Sequence, residues 1–201
     1  MSLAAPVYLV SDRGDVLSRG EVWCGDATVE EMTMLERVLA PVIDIGCGPA
    51  RHVMALAARG IPVMGIDAAP SAVALARRKG AAVLERSVFG SVPGCGRWGT
   101  ALLLDGNIGI GGDPETLLRR VHQLLRAEGR LLMETAAPGS TTRSFRARVE
   151  TGCGATTWFP WASVDASDVA RLAALSGYEL EEIWERGDRW FGSLRALSSS
   201  D

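Results

Sequence analysis

Two glycines one residue apart, Gly46-Cys47-Gly48, follow directly on a short apolar run that carries a single acid, Val42-Ile43-Asp44-Ile45. Helical patterning from Arg51 to Arg59 comes next. A strand, a tight glycine turn and a helix start bring backbone N–H groups together at one point, and glycine lets a ligand approach backbone that a Cβ would shield. Nineteen residues beyond Gly48, the apolar run Val63-Met64-Gly65-Ile66 ends in Asp67. A carboxylate there can accept both hydroxyls of a ribose. Together these features point to a nucleoside-containing cofactor. The dinucleotide fingerprint G-x-G-x-x-G fails, because Arg51 stands where its third glycine belongs, and no Gly-Lys-Ser/Thr follows to make a phosphate loop. Only two histidines are present, His52 after the turn and His122 within an apolar-periodic stretch. Neither is assigned as a general base, and catalytic residues stay unassigned.

The elements that must position these residues alternate. Strands are expected at 42–46, 62–67, 82–86, 100–105 and 130–135. Helices are expected at 50–59, 70–79 (opened by Pro70) and 113–126, the last with Leu117, Leu118, Val121, Leu124 and Leu125 at helical spacing. Continuous apolar strands between helices argue for an α/β, doubly wound parallel sheet covered on both faces. Ahead of it, Val7–Val10 and Val16-Leu17 read as a hairpin or an extended arm. Thr28 reads as a helix cap with Glu31 as its capping-box partner, the helix continuing through Val38-Leu39. After residue 135 come two extended segments, 144–150 and 155–162, then a helix capped by Asp165 or Ser167 and ended by Gly177. The runs 178–185 and 189–197 form a closing antiparallel hairpin, and the tail from Ser198 to Asp201 is expected to be loose.

The 201 residues fit one domain with a substantial core, 47% hydrophobic and 22% charged. A formal net charge of −3 leaves no electrostatic footprint for nucleic acid, and Arg77-Arg78-Lys79 sits where a helix C-terminus favours cations. No run approaches a membrane span, the start lacks a signal-peptide pattern, and a cytoplasmic location is expected. Cys24, Cys47, Cys95 and Cys153 include no CxxC pair, so neither a metal site nor a disulfide framework is expected.

Taken in order, these segments resemble the class I S-adenosylmethionine-dependent methyltransferases over roughly residues 41–197. The run 42–50 resembles that family's first motif, Gly65-Ile66-Asp67 with the following Ala68-Ala69-Pro70 its second strand and helix, and 124–134 its leucine-rich approach to strand five. The resemblance implies a Rossmann-like, seven-stranded, mostly parallel sheet with the last strand antiparallel. It implies one domain made of an N-terminal arm or lid (1–40), a cofactor half (41–135) and a substrate-side insertion with a closing helix and hairpin (136–201). S-adenosyl-L-methionine is the cofactor it implies.

The residues that would bind it are Asp44, Gly46, Cys47, Gly48, Asp67, Ala68, Ser87, Val88 and Asp105. Asp44 either orients the methionine amino group or braces the turn, and Asp67 holds the ribose or caps a helix. The acid often found after strand three is missing; Ser87 and Val88 would read the adenine through their backbone, with Phe89 against it or in the core. At the end of strand four, Asp105-Gly106-Asn107-Ile108-Gly109 lacks the Asn/Asp-Pro-Pro-aromatic motif, which argues against a DNA-adenine or protein-glutamine acceptor. Asn107, Trp158 and Trp161 are the candidates for the substrate side, with Phe159 between the tryptophans and Trp23 in the lid. Core packing of an inserted hairpin would equally account for the aromatic cluster. The implied activity is methyl transfer to a small-molecule acceptor, by in-line displacement at a sulfonium. A non-catalytic binder of the same cofactor, or a nicotinamide-dependent oxidoreductase, are the alternatives.

Overall fold

The computed structural model describes residues 7–198. The chain begins with β1 (Val7–Ser11), β2 (Val16–Arg19) and two short helices, α1 (Gly20–Cys24) and α2 (Val29–Leu35). The central alternation follows: β3 (Val42–Ile45), α3 (Arg51–Ala58), β4 (Val63–Asp67), α4 (Pro70–Arg78), β5 (Val83–Glu85), β6 (Trp98–Leu103), α5 (Pro114–Leu124) and β7 (Leu125–Thr135). Then come β8 (Arg143–Thr151), β9 (Gly154–Ala155), β10 (Phe159–Ser163), α6 (Val169–Leu175), β11 (Tyr178–Arg186) and β12 (Arg189–Ala196).

Seven strands form the main sheet in the order β11-β12-β7-β6-β3-β4-β5. Neighbours from β7 to β5 run parallel, while β12 is antiparallel to both β7 and β11. This is the expected sheet, with its last strand reversed. The order changes direction at β3, which has β4 on one side and β6 on the other, so a crevice opens at the carboxyl ends of β3 and β6.

Side-chain alternation along β3 sets up the site. Ile43 and Ile45 point into the core shared with α5 and α6, whereas Val42 points into the core that α2 and α3 build on the opposite face. Asp44 therefore also points toward α2 and α3. On the other face, Leu117, Leu118, Val121 and Leu124 of α5 are fully buried along one stripe. Each such leucine contributes on the order of 1.5–3 kcal/mol.

Two boundaries differ from the sequence expectation. The helix that Thr28 starts does form the capping box, but it stops at Leu35 instead of running to Leu39. The helix at 114 ends at Leu124, because Leu125 is extended and pairs opposite Trp98 as the first residue of β7. The N-terminal hairpin forms and does not stand alone. It joins the post-135 strands in a second sheet, β10-β8-β1-β2, in which Val7 lies opposite Thr151 and Phe159 opposite Ala147. Among the described residues no helix is long and apolar enough to cross a membrane.

Candidate functional site

A cavity of about 870 Å³ lies between the carboxyl ends of the main sheet and the second sheet. One wall is the Gly46–Pro49 turn, the 66–69 end of β4, the 86–89 loop, and Asp105 and Asn107 after β6. The facing wall comes from β1 (Leu9), β8 (Val149, Thr151), Thr156 and Thr157, and β10 (Phe159, Trp161), with Trp23 and Cys24 of α1 also lining the cavity.

The turn is built from three left-handed residues, Gly46 (φ 71°), Gly48 (φ 53°) and Ala50 (φ 70°). The Gly46 and Cys47 N–H groups both donate to the Ile66 carbonyl, at 2.8 and 3.1 Å. Asn107 Nδ2 donates to the Ile45 and Gly46 carbonyls, both at 2.9 Å. A Cβ on Gly46 would come within 2.7 Å of that amide, whereas one on Gly48 would meet no atom within 4 Å. Gly48 thus opens onto empty space beside the backbone, a cradle that a side chain would fill.

Asp67 closes the turn from the next strand. Its Oδ2 accepts from Gly48 N–H at 2.8 Å and its Oδ1 from Ala69 N–H at 2.7 Å. Burial still pushes its carboxyl above the ordinary value, because these N–H bonds do not offset the lost water. A half-buried carboxylate short of donors, at the rim of a cavity, suits a ligand bringing hydroxyl groups. The residues present fit a nucleoside cofactor.

Behind Arg51 and Asp105 of the cavity wall lies an ionic cluster that no local sequence pattern announces. Glu31, fully buried on α2, accepts from Arg51 Nε and Nη2 at 3.1 and 2.6 Å and from Arg189 Nη1 at 2.8 Å. Its Oε2 also takes the Thr28 N–H, so one side chain both caps α2 and anchors two arginines. Asp105 Oδ1 accepts from Arg51 Nη2 at 2.6 Å. Asp105 itself is left-handed (φ 56°), and its N–H donates to Glu134 Oε2, which is held in turn by Arg189. Burial works against the Glu31 charge, but His52, Arg51 and Arg189 overcome it and hold the carboxyl well below the usual range.

Asp44 and His52 stand behind the turn, out of the cavity. His52 Nδ1 is 3.7 Å from Asp44 Oδ2, and its Nε2 is 3.4 Å from Glu31 Oε1, ionic distances longer than hydrogen bonds. Burial opposes an imidazolium here, yet the two carboxylates outweigh it and raise His52 to about 9.

The structure brings Gly46, Cys47, Gly48, Asp67, Ala68, Ser87, Val88, Asp105, Asn107 and Trp161 to the one cavity, and leaves Asp44 and Trp158 outside it. Ser87 and Val88 lie in a loop that Arg120 ties down through the Val88 and Gly90 carbonyls, each at 2.8 Å. Phe159 and Trp161 share a face of β10 and meet edge to face at 5.9 Å. Trp158, one position earlier, turns to the other face, where the Arg148 guanidinium lies 4.5 Å from its ring. His122 is far from the site, with Nε2 3.0 Å from the Leu197 carbonyl. The members missed from sequence were Arg51, Glu31, Glu134 and Arg189. Acids inside otherwise apolar runs were the available signal for Glu134, as for Asp44.

Residues 42–129 match a family model described as a methyltransferase domain. No curated protein sequence matches the chain. Among solved structures, an S-adenosylmethionine-dependent methyltransferase from Bacteroides fragilis in complex with S-adenosyl-L-homocysteine is 21% identical, with a TM-score of 0.81 over 97% of this chain and 89% of that one. The sugar N-methyltransferase KedS8 from a Streptoalloteichus species is 17% identical, with a TM-score of 0.63 over 89% and 90%. The 1,6-didemethyltoxoflavin-N1-methyltransferase of Burkholderia thailandensis, with its substrate and S-adenosylhomocysteine bound, is 20% identical, with a TM-score of 0.56 over 78% and 71%. The domain match spans the glycine turn and the Asp67 strand, and the strand order described above is the fold of these S-adenosylmethionine-dependent methyltransferases.

Proposed function

We propose that the protein methylates a small, largely apolar acceptor held between the glycine turn and the aromatic face of β10. The observation that carries this reading is the cavity of about 870 Å³ that has the glycine turn and Asp67 on one wall and Leu9, Val149, Phe159 and Trp161 on the other. That is the size of a complete ligand pocket, about 300–1,000 Å³, and it suits a nucleoside cofactor beside a small acceptor. The sugar N-methyltransferase and the 1,6-didemethyltoxoflavin-N1-methyltransferase that share the fold support a small-molecule acceptor. We read residues 1–201 as one domain whose N-terminal segment closes the acceptor side, and its free cysteines as suited to a reducing, cytoplasmic compartment.

Bound there, the cofactor supplies a sulfonium methyl as electrophile. Asp67 accepts the ribose hydroxyls. Gly46, Cys47 and Gly48 present backbone to the amino-acid end, Ala68 flanks the ribose, and the Ser87-Val88 backbone faces the adenine. Asp44 supports the turn from behind through its pairing with His52. Phe159, Trp161, Val149 and Leu9 exclude water and align the acceptor, while Asn107 fixes the turn and only its edge reaches the acceptor. Trp158 has no part in this reading, because its ring packs under Arg148 on the far face. No histidine lines the cavity among the described residues, and Asp105 is paired through Oδ1 with Arg51 and Arg189. The chain therefore works by alignment, on an acceptor atom whose lone pair is available near neutral pH.

The test is calorimetric titration with S-adenosylhomocysteine, followed by transfer of labelled methyl groups to a panel of small heteroaromatic, phenolic and aminosugar acceptors, read by mass spectrometry. Tight binding with at least one methylated product is expected. Absence of binding would sink the reading, and binding without turnover across the panel would favour a non-catalytic binder.

A further inference from the structure

We propose that Arg51 is a cofactor-binding residue whose Nη1 holds the α-carboxylate of the amino-acid end, and that Glu31 is the positioning residue that aims it. The proposal rests on the cavity being the S-adenosylmethionine site. Arg51 is the first residue of α3, directly after the glycine turn, and it lines the cavity although its side chain is only 4% exposed. A guanidinium has five N–H donors in a rigid fork. Here Nε and Nη2 are committed to Glu31, and Nη2 also reaches Asp105. Nη1 finds no acceptor among the described residues.

A buried guanidinium with an uncommitted Nη1 at a cavity calls for an anionic oxygen, and a carboxylate supplies one. Charge balance favours a zwitterion over a simple anion. Glu31, Asp44, Asp105 and Glu134 outnumber Arg51, Arg189 and the His52 imidazolium in the cluster, so a lone added anion would meet net negative charge. An amino-acid end brings its own ammonium. Asp105, also on the cavity wall, has an Oδ2 that accepts no hydrogen bond from the described residues and is free for that group. Arg51 and Asp105, already joined through Nη2 and Oδ1, would thus bind the two halves of one zwitterion. Glu31 makes this possible by fixing the fork along its opposite edge. The residue that disqualified a dinucleotide fingerprint becomes a reader of the donor's amino-acid tail.

Calorimetry on the full chain with S-adenosylhomocysteine and with its decarboxylated analogue, which lacks only the carboxylate, tests this. The wild-type protein should prefer S-adenosylhomocysteine by about tenfold or more, equivalent to about 1.4 kcal/mol. Arg51→Lys should lose about tenfold in affinity for S-adenosylhomocysteine while binding the analogue within about twofold of wild type. Glu31→Gln should shift the same ratio in the same direction by a smaller factor. Equal affinity of the wild type for both ligands, or a variant that weakens both equally, overturns the proposal. If Arg51→Lys melts below the assay temperature, the wild-type ratio and Glu31→Gln decide it. Failure of the wild type to bind either ligand would instead overturn the reading of the cavity, a separate result.

Discussion

His52 should make the stability of this protein fall across mildly alkaline pH. The ring is buried between Asp44 and Glu31, and its titration is raised from 6.5 to about 9. The folded state therefore holds a proton that the unfolded state releases first. The stabilisation is complete below pH 6.5 and is lost as pH rises through about 9. The difference between the two values, at about 1.4 kcal/mol per unit, comes to roughly 3 kcal/mol. That is a large share of the roughly 5–15 kcal/mol of a typical domain. Urea unfolding from pH 6 to 9.5, for wild type and His52→Gln, measures it. The variant should be less stable at pH 6, because two buried carboxylates lose their cation, and the curves should converge above pH 9. The difference between them is the measure. Cys47 pushes wild type and variant alike in the same direction, since its buried thiol resists ionisation that the unfolded thiol undergoes. Glu31, held low, contributes only to loss of stability in acid. Asp44→Asn should move the fall to lower pH. Parallel curves for wild type and His52→Gln would refute the reasoning.

Gly48→Ala should fold with a left-handed penalty of about 1–2 kcal/mol, yet bind S-adenosylhomocysteine at least tenfold more weakly, because its methyl enters the empty cradle; unchanged calorimetric affinity would count against a ligand there. Gly46→Ala should cost more stability than Gly48→Ala in the same melts, because its methyl collides with Asn107 and frees two carbonyls. Alkylation of the native protein should label exposed Cys24, Cys95 and Cys153 and spare buried Cys47, with mass spectrometry reading three adducts before denaturation and four after. Trp161→Ala should raise KM for an accepted substrate at least tenfold and leave S-adenosylhomocysteine affinity within about threefold; the opposite pattern in calorimetry and kinetics would move the acceptor elsewhere.

The central sheet was legible because its strands are continuous apolar runs bounded by glycine turns, which only a two-face-covered parallel sheet satisfies. The glycine turn and Asp67 were legible because local backbone geometry determines them. Arg51, Glu31, Glu134 and Arg189 were not, because they lie on α3, α2, β7 and β12 and meet only when the closing hairpin folds back. Glu31 was further concealed by a valid local role, its capping box. The pairing of β1 with β8 was similarly hidden, since neither strand announces its partner. Trp158 and Trp161 are neighbours in sequence, but strand alternation puts them on opposite faces.

The pairing of Val7 with Thr151 also sets an order in time. β1 and β2 are synthesised before β3 to β7, but the partner that completes their sheet is made only after them. Contacts so distant in sequence carry a large loop-closure cost and form late. The wall built from the main sheet, whose contacts are nearer neighbours, can be in place while the wall built from the second sheet is still open. Pulse-labelled hydrogen exchange during refolding should accordingly protect the amides of β3 and β4 before those of β1 and β8. Strands made before β3 to β7 would then settle after them.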